Sequence, residues 1–139
     1  MKIIDIHCHI FPQKVSEKAV ESIGSYYHVP IYGKGTVSDL KEQGQKAGID
    51  KFVVHSTATR MEQVASINDY IVGVQRKNPN CIGFGTLHPD LTDIEAEVDR
   101  LLLLGVHGIK LHPEFQNFKI DDENMMPIYT ALEGRLPVL

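Results

Sequence analysis

Ile4-Asp5-Ile6-His7-Cys8-His9-Ile10-Phe11-Pro12 stands close to the start of the chain, and its alternation decides the fold. Strand side chains point to opposite faces in turn, so Asp5, His7 and His9 fall on one side and Ile4, Ile6 and Cys8 on the other. One face reads as core and the other as the wall of a polar pocket. The first β-rich run is Ile3–His7. Similar runs recur at Lys51–His55, Cys81–His88 and Val106–His112, and a last one begins at Leu136–Leu139.

Stretches with helical spacing separate these runs. Val15, Ala19 and Ile23 fit one helix face, followed by a loop with Tyr26, Tyr27, Pro30 and Tyr32. Val37, Leu40 and Ala47 fit a second, closed by Gly48. Val64, Ile67, Ile71 and Val74 fit a third, before Asn78-Pro79. Ile94, Val98, Leu101 and Leu102 fit a fourth, opened by a Thr92–Glu95 capping box and closed by Gly105. Asp121 or Asp122 opens a last helix through Ile128 and Leu132. Such alternation predicts an α/β fold with parallel strands and helical crossovers. Four βα units and the start of a fifth strand make up the N-terminal half of a TIM (β/α)8 barrel, which usually takes ~250 residues. Residues 1–139 are therefore expected to form one partial barrel domain, truncated at strand five. A half barrel exposes strand edges and apolar surface. Pairing of two copies, a homo-oligomer, is the other way to cover them.

Composition narrows the functional classes. A formal charge of −4 and no basic cluster offer nothing to nucleic acid or an anionic membrane. The N-terminal apolar run is broken by Asp5 and two histidines, which excludes a signal peptide or membrane span there. Two cysteines far apart, Cys8 and Cys81, argue against a disulfide framework and fit a reducing cytoplasm.

Histidine is the informative residue type, with seven in 139 residues. Chemistry in parallel α/β folds sits at the carboxyl ends of the strands. His7 and His9, His55, His88 and His112 all fall at or just past such ends; only His28 and His107 do not. Two histidines two apart on a strand project to the same side, ~7 Å apart along the backbone. Neutral imidazoles so placed can converge on one divalent cation, so His7 and His9 are the candidate metal ligands. Lys110 and His112 share a face opposite Ile109 and Leu111, where a lysine would bind an anionic group. His88 completes the candidate substrate-binding set. His55, taken singly, reads as an ordinary strand-end histidine, and its replacement is expected to do little. Cys8, on the opposite face, reads as a small core residue.

The first-strand motif resembles the signature of the amidohydrolase superfamily, in the branch that includes aromatic acid decarboxylases. Gly83-Phe84-Gly85-Thr86-Leu87-His88-Pro89 and Gly108-Ile109-Lys110-Leu111-His112-Pro113 resemble later strands of that branch. The resemblance covers only the N-terminal half of such a protein. It implies a barrel with one or two divalent metals, often zinc, with His7 and His9 as ligands. It also implies histidines after strands five and six and a proton-handling aspartate after strand eight, all beyond Leu139.

On this reading the parent protein is a metal-dependent hydrolase in which activated water attacks an amide or lactone carbonyl. Its substrate would be a small molecule bearing a carboxylate, held by Lys110 or His112. Three alternatives remain open: decarboxylation of aromatic acids by the same scaffold (a carboxy-lyase), a TatD-like or phosphoesterase-like metal hydrolase, and a half barrel without catalysis. Two ligands hold a metal weakly, because catalytic zinc sites typically use three protein ligands. The 139-residue chain by itself is therefore expected to bind zinc poorly and to turn over nothing.

Overall fold

The chain is described by a computed structural model covering all residues from Met1 to Leu139. Four strands, β1 (Ile4–His9), β2 (Lys51–His55), β3 (Cys81–Thr86) and β4 (Gly108–Lys110), pair in parallel in the order β1-β2-β3-β4. A fifth segment joins β4: Ile109 N–H donates to Pro137 O at 2.9 Å and Leu139 N–H to Ile109 O at 2.9 Å. The bridge between Ile109 and Val138 is also parallel. This is the first half of a (β/α)8 barrel, with strands in sequence order and a helix on each crossover.

The helices are α1 (Gln13–Tyr27), α2 (Val37–Lys46), α3 (Val64–Lys77), α4 (Ile94–Leu103), α5 (Pro113–Gln116) and α6 (Met126–Leu132). None is long and apolar enough to cross a membrane. Gly48 and Gly105 follow α2 and α4 with φ of +72° and +78°, the left-handed closure expected of them. The cap of α4 lies one residue later than the expected Thr92. Asp93 takes the position, accepting from Ala96 N–H at 3.1 Å, because its short carboxylate reaches the first-turn amides and also complements the helix dipole. The first helix extends through Tyr26 and Tyr27, expected in a loop, and stops where His28 turns left-handed at φ 54°. The four-residue α5 follows β4 directly and carries no apolar periodicity long enough to announce it.

Two apolar clusters fill the space between sheet and helices. One joins Cys8, Phe52, Val54 and Cys81 of the strands to Ile71 and Val74 of α3, with Val37 and Leu40 of α2 against it. The other packs Ile109 and Leu111 against Val98 and Leu101 of α4 and Ile128 and Leu132 of α6. Cys8 is thus a core residue, as its parity predicts. Ile109 and Leu111 both face outward to the helices, which leaves Lys110 on the concave side.

Parity fails at one point. Ile4 and Asp5 pair with Lys51 and Phe52, but Cys8 and His9 pair with Val54 and His55, so β1 holds one extra residue between Asp5 and Cys8. Such a bulge reverses the alternation across it. Asp5 stands beside Phe52, a member of the outer cluster, and not in the row of His7 and His9. Its carboxylate accepts from His7 N–H at 3.1 Å, within the bulge itself.

α2 lies close to β2 because Gly44 has no side chain. A Cβ there would come 2.2 Å from Phe52 Cζ, and Phe52 is buried with no room to swing. Alanine at 44 gains about 1 kcal/mol of helix propensity but overpacks the interface by about 1–3 kcal/mol. Gly44→Ala is expected to lower the urea midpoint, and Phe52→Leu in the same chain to recover part of the loss. Strictly additive effects of the two substitutions would show that helix and strand do not meet at this point.

Candidate metal centre

The bulge in β1 and the register of β2 place three imidazoles together. His9 lies beside His55 in the ladder, and His7 is two residues back on the same strand. Their ring centroids are 5.2 Å (His7–His9), 5.0 Å (His7–His55) and 4.4 Å (His9–His55) apart. Nε2 of His7 and Nε2 of His9 are 3.2 Å apart. One nitrogen from each of the three rings lies within 4.8 Å of the others. His55 is fully buried, and neither of its ring nitrogens has a hydrogen-bond partner. Buried polar atoms are normally paired, so two orphaned nitrogens on one ring ask for a partner of another kind.

Electrostatics keep these rings neutral. Burial, then His7, Lys110 and His112, pushes His9 down to about 4. Burial, then His9, Lys110 and His7, holds His55 well below the usual imidazole range. Burial and Lys110 also lower His7, against an opposing pull from Asp5. Neutral imidazole is the ligating form, and the three donors suit a divalent cation of intermediate softness. The residues therefore fit the metal that the sequence implies.

Lys110 stands on the concave face behind this cluster, almost fully buried. No carboxylate of the chain pairs with it. Burial lowers its pKa, and its charge depresses His7, His9, His55 and His112 in turn. An ammonium buried without a counter-charge is costly unless an anion joins it.

His112 caps α5. Phe115 N–H donates to its Nδ1 at 3.3 Å, which leaves the proton on Nε2 in the neutral ring. Nε2 then donates to the Tyr27 hydroxyl at 3.3 Å, and that hydroxyl donates to Glu114 Oε2 at 3.3 Å. Phe115 stacks on the imidazole, centroids 4.1 Å apart and 10° from coplanar. Tyr26 meets Phe115 edge-on at 5.1 Å, so the end of α1 is held against α5 across the mouth of the site.

Two cavities flank His9. One of about 310 Å³ is walled by Phe11, Ile23, Tyr26, Thr57 and Phe115 among others. The second, about 440 Å³, touches His7 and His9 together with Tyr27, His112 and Phe115. Both lie in the size range of small-ligand pockets. His88 lines neither. Its buried ring accepts from Asp90 N–H at 3.2 Å and faces the Asp90 carboxylate at 3.6 Å, which holds the turn after β3.

The sequence-expected set thus divides. His7 and His9 meet, His112 shares a cavity with them, Lys110 sits behind them, and His88 lies apart. His55, one of the five strand-end histidines but expected to be an ordinary one, joins the pair. The signal available was its place as the last residue of the second run, opposite the end of the first. Gln116 was also missed. Buried on α5, it accepts from His112 N–H at 2.8 Å, and its amide donates to Ala58 O at 2.9 Å and Leu87 O at 2.6 Å. One side chain ties the segments after β2, β3 and β4 together.

No family model matches the chain, and no curated protein matches it. Solved structures do. A probable 2-pyrone-4,6-dicarboxylic acid hydrolase from Acinetobacter baumannii, with citric acid bound, aligns with 99% of this chain and 48% of its own, with a TM-score of 0.63 and 16% identity. 4-Oxalomesaconate hydratase from Rhodopseudomonas palustris aligns with 98% of this chain and 51% of its own, with a TM-score of 0.63 and 20% identity. 2,6-Dihydroxybenzoate decarboxylase, complexed with 2,6-dihydroxybenzoate, aligns with 99% and 49%, with a TM-score of 0.64 and 17% identity. All three are amidohydrolase-superfamily enzymes of the decarboxylase-like branch. At these identities the likeness is one of fold, and the chain spans about half the length of each neighbour. What the chain shares with them is the architecture of the N-terminal half of a (β/α)8 barrel.

Gln116→Ala would leave the Ala58 carbonyl and the His112 amide unpaired, and Leu87 O with only the long bond from Thr86 Oγ1 at 3.4 Å. A loss of about 1–3 kcal/mol, or more, is expected in urea unfolding, with faster amide exchange in the segments around Ala58 and Leu87. Unchanged stability and exchange would show that the three segments hold together without it.

Proposed function

We propose that this chain supplies the metal-binding half of an amidohydrolase-type enzyme that hydrolyses an amide or lactone of a small carboxylate-bearing molecule. The observation that carries it is the convergence of His7 and His9, Nε2 to Nε2 at 3.2 Å, on the carboxyl side of a parallel sheet whose fold is shared with a hydrolase, a hydratase and a decarboxylase. His7 and His9 would hold the divalent cation, zinc first among the candidates. When bound, that cation supplies Lewis acidity and lowers the pKa of water to about 7.

The chain's own residues bind and orient. Lys110 supplies the cationic charge that a substrate carboxylate answers, and His112, its Nε2–H held by the Tyr27 hydroxyl, lines the cavity wall. Tyr27 and Glu114 keep that proton on Nε2 by accepting along the chain of hydrogen bonds. Phe11, Tyr26 and Phe115 exclude water from the apolar side of His9. His88 contributes by fixing the loop after β3. The 139 residues alone are proposed to bind without turnover, since the neighbours' barrels contain a second half of equal size.

One observation favours a second reaction. The slot walled by Phe11, Tyr26 and Phe115 suits a flat ring, and one neighbour is a decarboxylase complexed with 2,6-dihydroxybenzoate. Release of carbon dioxide from aromatic acids, against hydrolysis of amides and lactones, separates the two in the enzyme that carries this half barrel.

His7→Ala and His9→Ala are each expected to reduce metal content and any activity together. Lys110→Met is expected to retain metal and to raise the Kd for aromatic carboxylates about tenfold or more, the loss of a charge-assisted contact worth roughly 1.5–3 kcal/mol. Full metal content in both histidine variants, by elemental analysis, would reject the assignment.

A further inference from the structure

Of the imidazoles around the proposed centre, His55 is the one whose state the fold does not explain. It is completely buried, both ring nitrogens lack a partner, and two other imidazoles are packed against it. A ring needed only to fill space could be a leucine or phenylalanine at no cost in polar desolvation. A histidine there forfeits hydrogen bonds that water would have made, a cost that an apolar side chain would not incur. Residues after β2 do not relieve it: Thr57 Oγ1, two residues on, is itself buried without a partner.

We infer that His55 is a third metal ligand, so that β1 and β2 together build a three-imidazole site complete within this chain. The inference rests on the His7/His9 reading above and extends it. Tetrahedral coordination with metal–nitrogen bonds of about 2.0–2.1 Å separates ligand nitrogens by about 3.3 Å. The His7–His9 pair already shows 3.2 Å, and no pair in the group exceeds 4.8 Å. Closing the remaining gap takes small rotations of side chains that already touch. The backbone beneath is firm: His9 and His55 are register partners, and Ile10 N–H donates to His55 O at 3.0 Å.

The donor set also sets the ligand chemistry. Three neutral imidazoles bring no negative charge, and Lys110 adds a positive one beside them. Such a site favours zinc, cobalt or nickel over magnesium or calcium, which prefer oxygen ligands. It leaves the full charge of a divalent cation to be met by an exogenous anion, such as a carboxylate. The earlier expectation of weak zinc binding by the 139 residues counted two ligands; with three, the chain reaches the protein complement of a typical catalytic zinc site.

Cobalt(II) titration of the purified 139-residue chain, followed by visible absorption and competed with zinc, tests this. One equivalent is expected to bind, with the intense bands of four- or five-coordinate cobalt, and magnesium is expected not to compete. His55→Ala should weaken binding by more than the roughly 10–100-fold lost when a ligand's supporting partner is removed, as His7→Ala and His9→Ala should. His107→Ala, at the other end of β4 and hydrogen-bonded to Gln75, should bind as the unaltered chain does. Nitrogen-15 imidazole spectra of the unaltered chain should show His55 shifting on zinc addition, which covers the case of a His55 variant that fails to fold. If His7→Ala and His9→Ala lose metal while His55→Ala keeps it and the His55 resonances stay still, the inference is overturned and the two-ligand reading stands. If the unaltered chain binds no metal, both fall.

Discussion

Parallel pairing is the constraint on which the rest depends. A parallel sheet brings the carboxyl ends of all its strands to one rim, whatever the intervening helices do. Four histidine-bearing strand ends are thereby delivered to the same side of the molecule. The pairing of His9 with His55 then converts a shared rim into a shared site. A slip of one residue in that register would turn His55 toward the helices and leave the pair on β1 alone.

The bulge in β1 refines this constraint. The extra residue between Asp5 and Cys8 lets Cys8 join the outer core while His7 and His9 stay on the concave side. It also removes Asp5 from that row, so the centre is built from nitrogen donors without a carboxylate among them. Bulges are frequent beside active sites because they re-aim side chains in this way. The resulting group runs from an exposed His7 to a fully buried His55 close to one ammonium, which is a poor arrangement for stability. Its cost is carried by two well-packed clusters behind the sheet and by buried polar struts. Gln116 bridges three segments, and Asn68 accepts from Thr86 N–H at 2.7 Å while donating to Thr86 O at 3.0 Å, fixing the end of β3.

Much of this was legible in the chain. The spacing of Val64, Ile67, Ile71 and Val74 marks α3, and the alternation through Ile109, Lys110 and Leu111 puts the lysine on the concave side. Those features survive because periodicity is a local property that tertiary packing reinforces. The places where reading failed have local causes too. Asp93 displaced Thr92 as a cap because two adjacent residues could both serve. α5 has four residues, too few for a periodic pattern. His88, also at a strand end, turns to Asp90 and lines neither cavity beside His9, because the direction in which a turn leaves the sheet is not written in strand periodicity.

His55 shows the boundary most clearly. In sequence it is 46 residues beyond His9, and nothing between them states that they are neighbours. The order of residues determined which segments become strands, which faces are apolar, and that His7 and His9 share a side, because those follow from dihedral geometry over a few residues. Only the tertiary structure decided that a third ring meets them, that Asp5 does not, and that Tyr27 reaches across to His112. These depend on inter-strand register and helix docking, which are set by packing between segments distant along the chain.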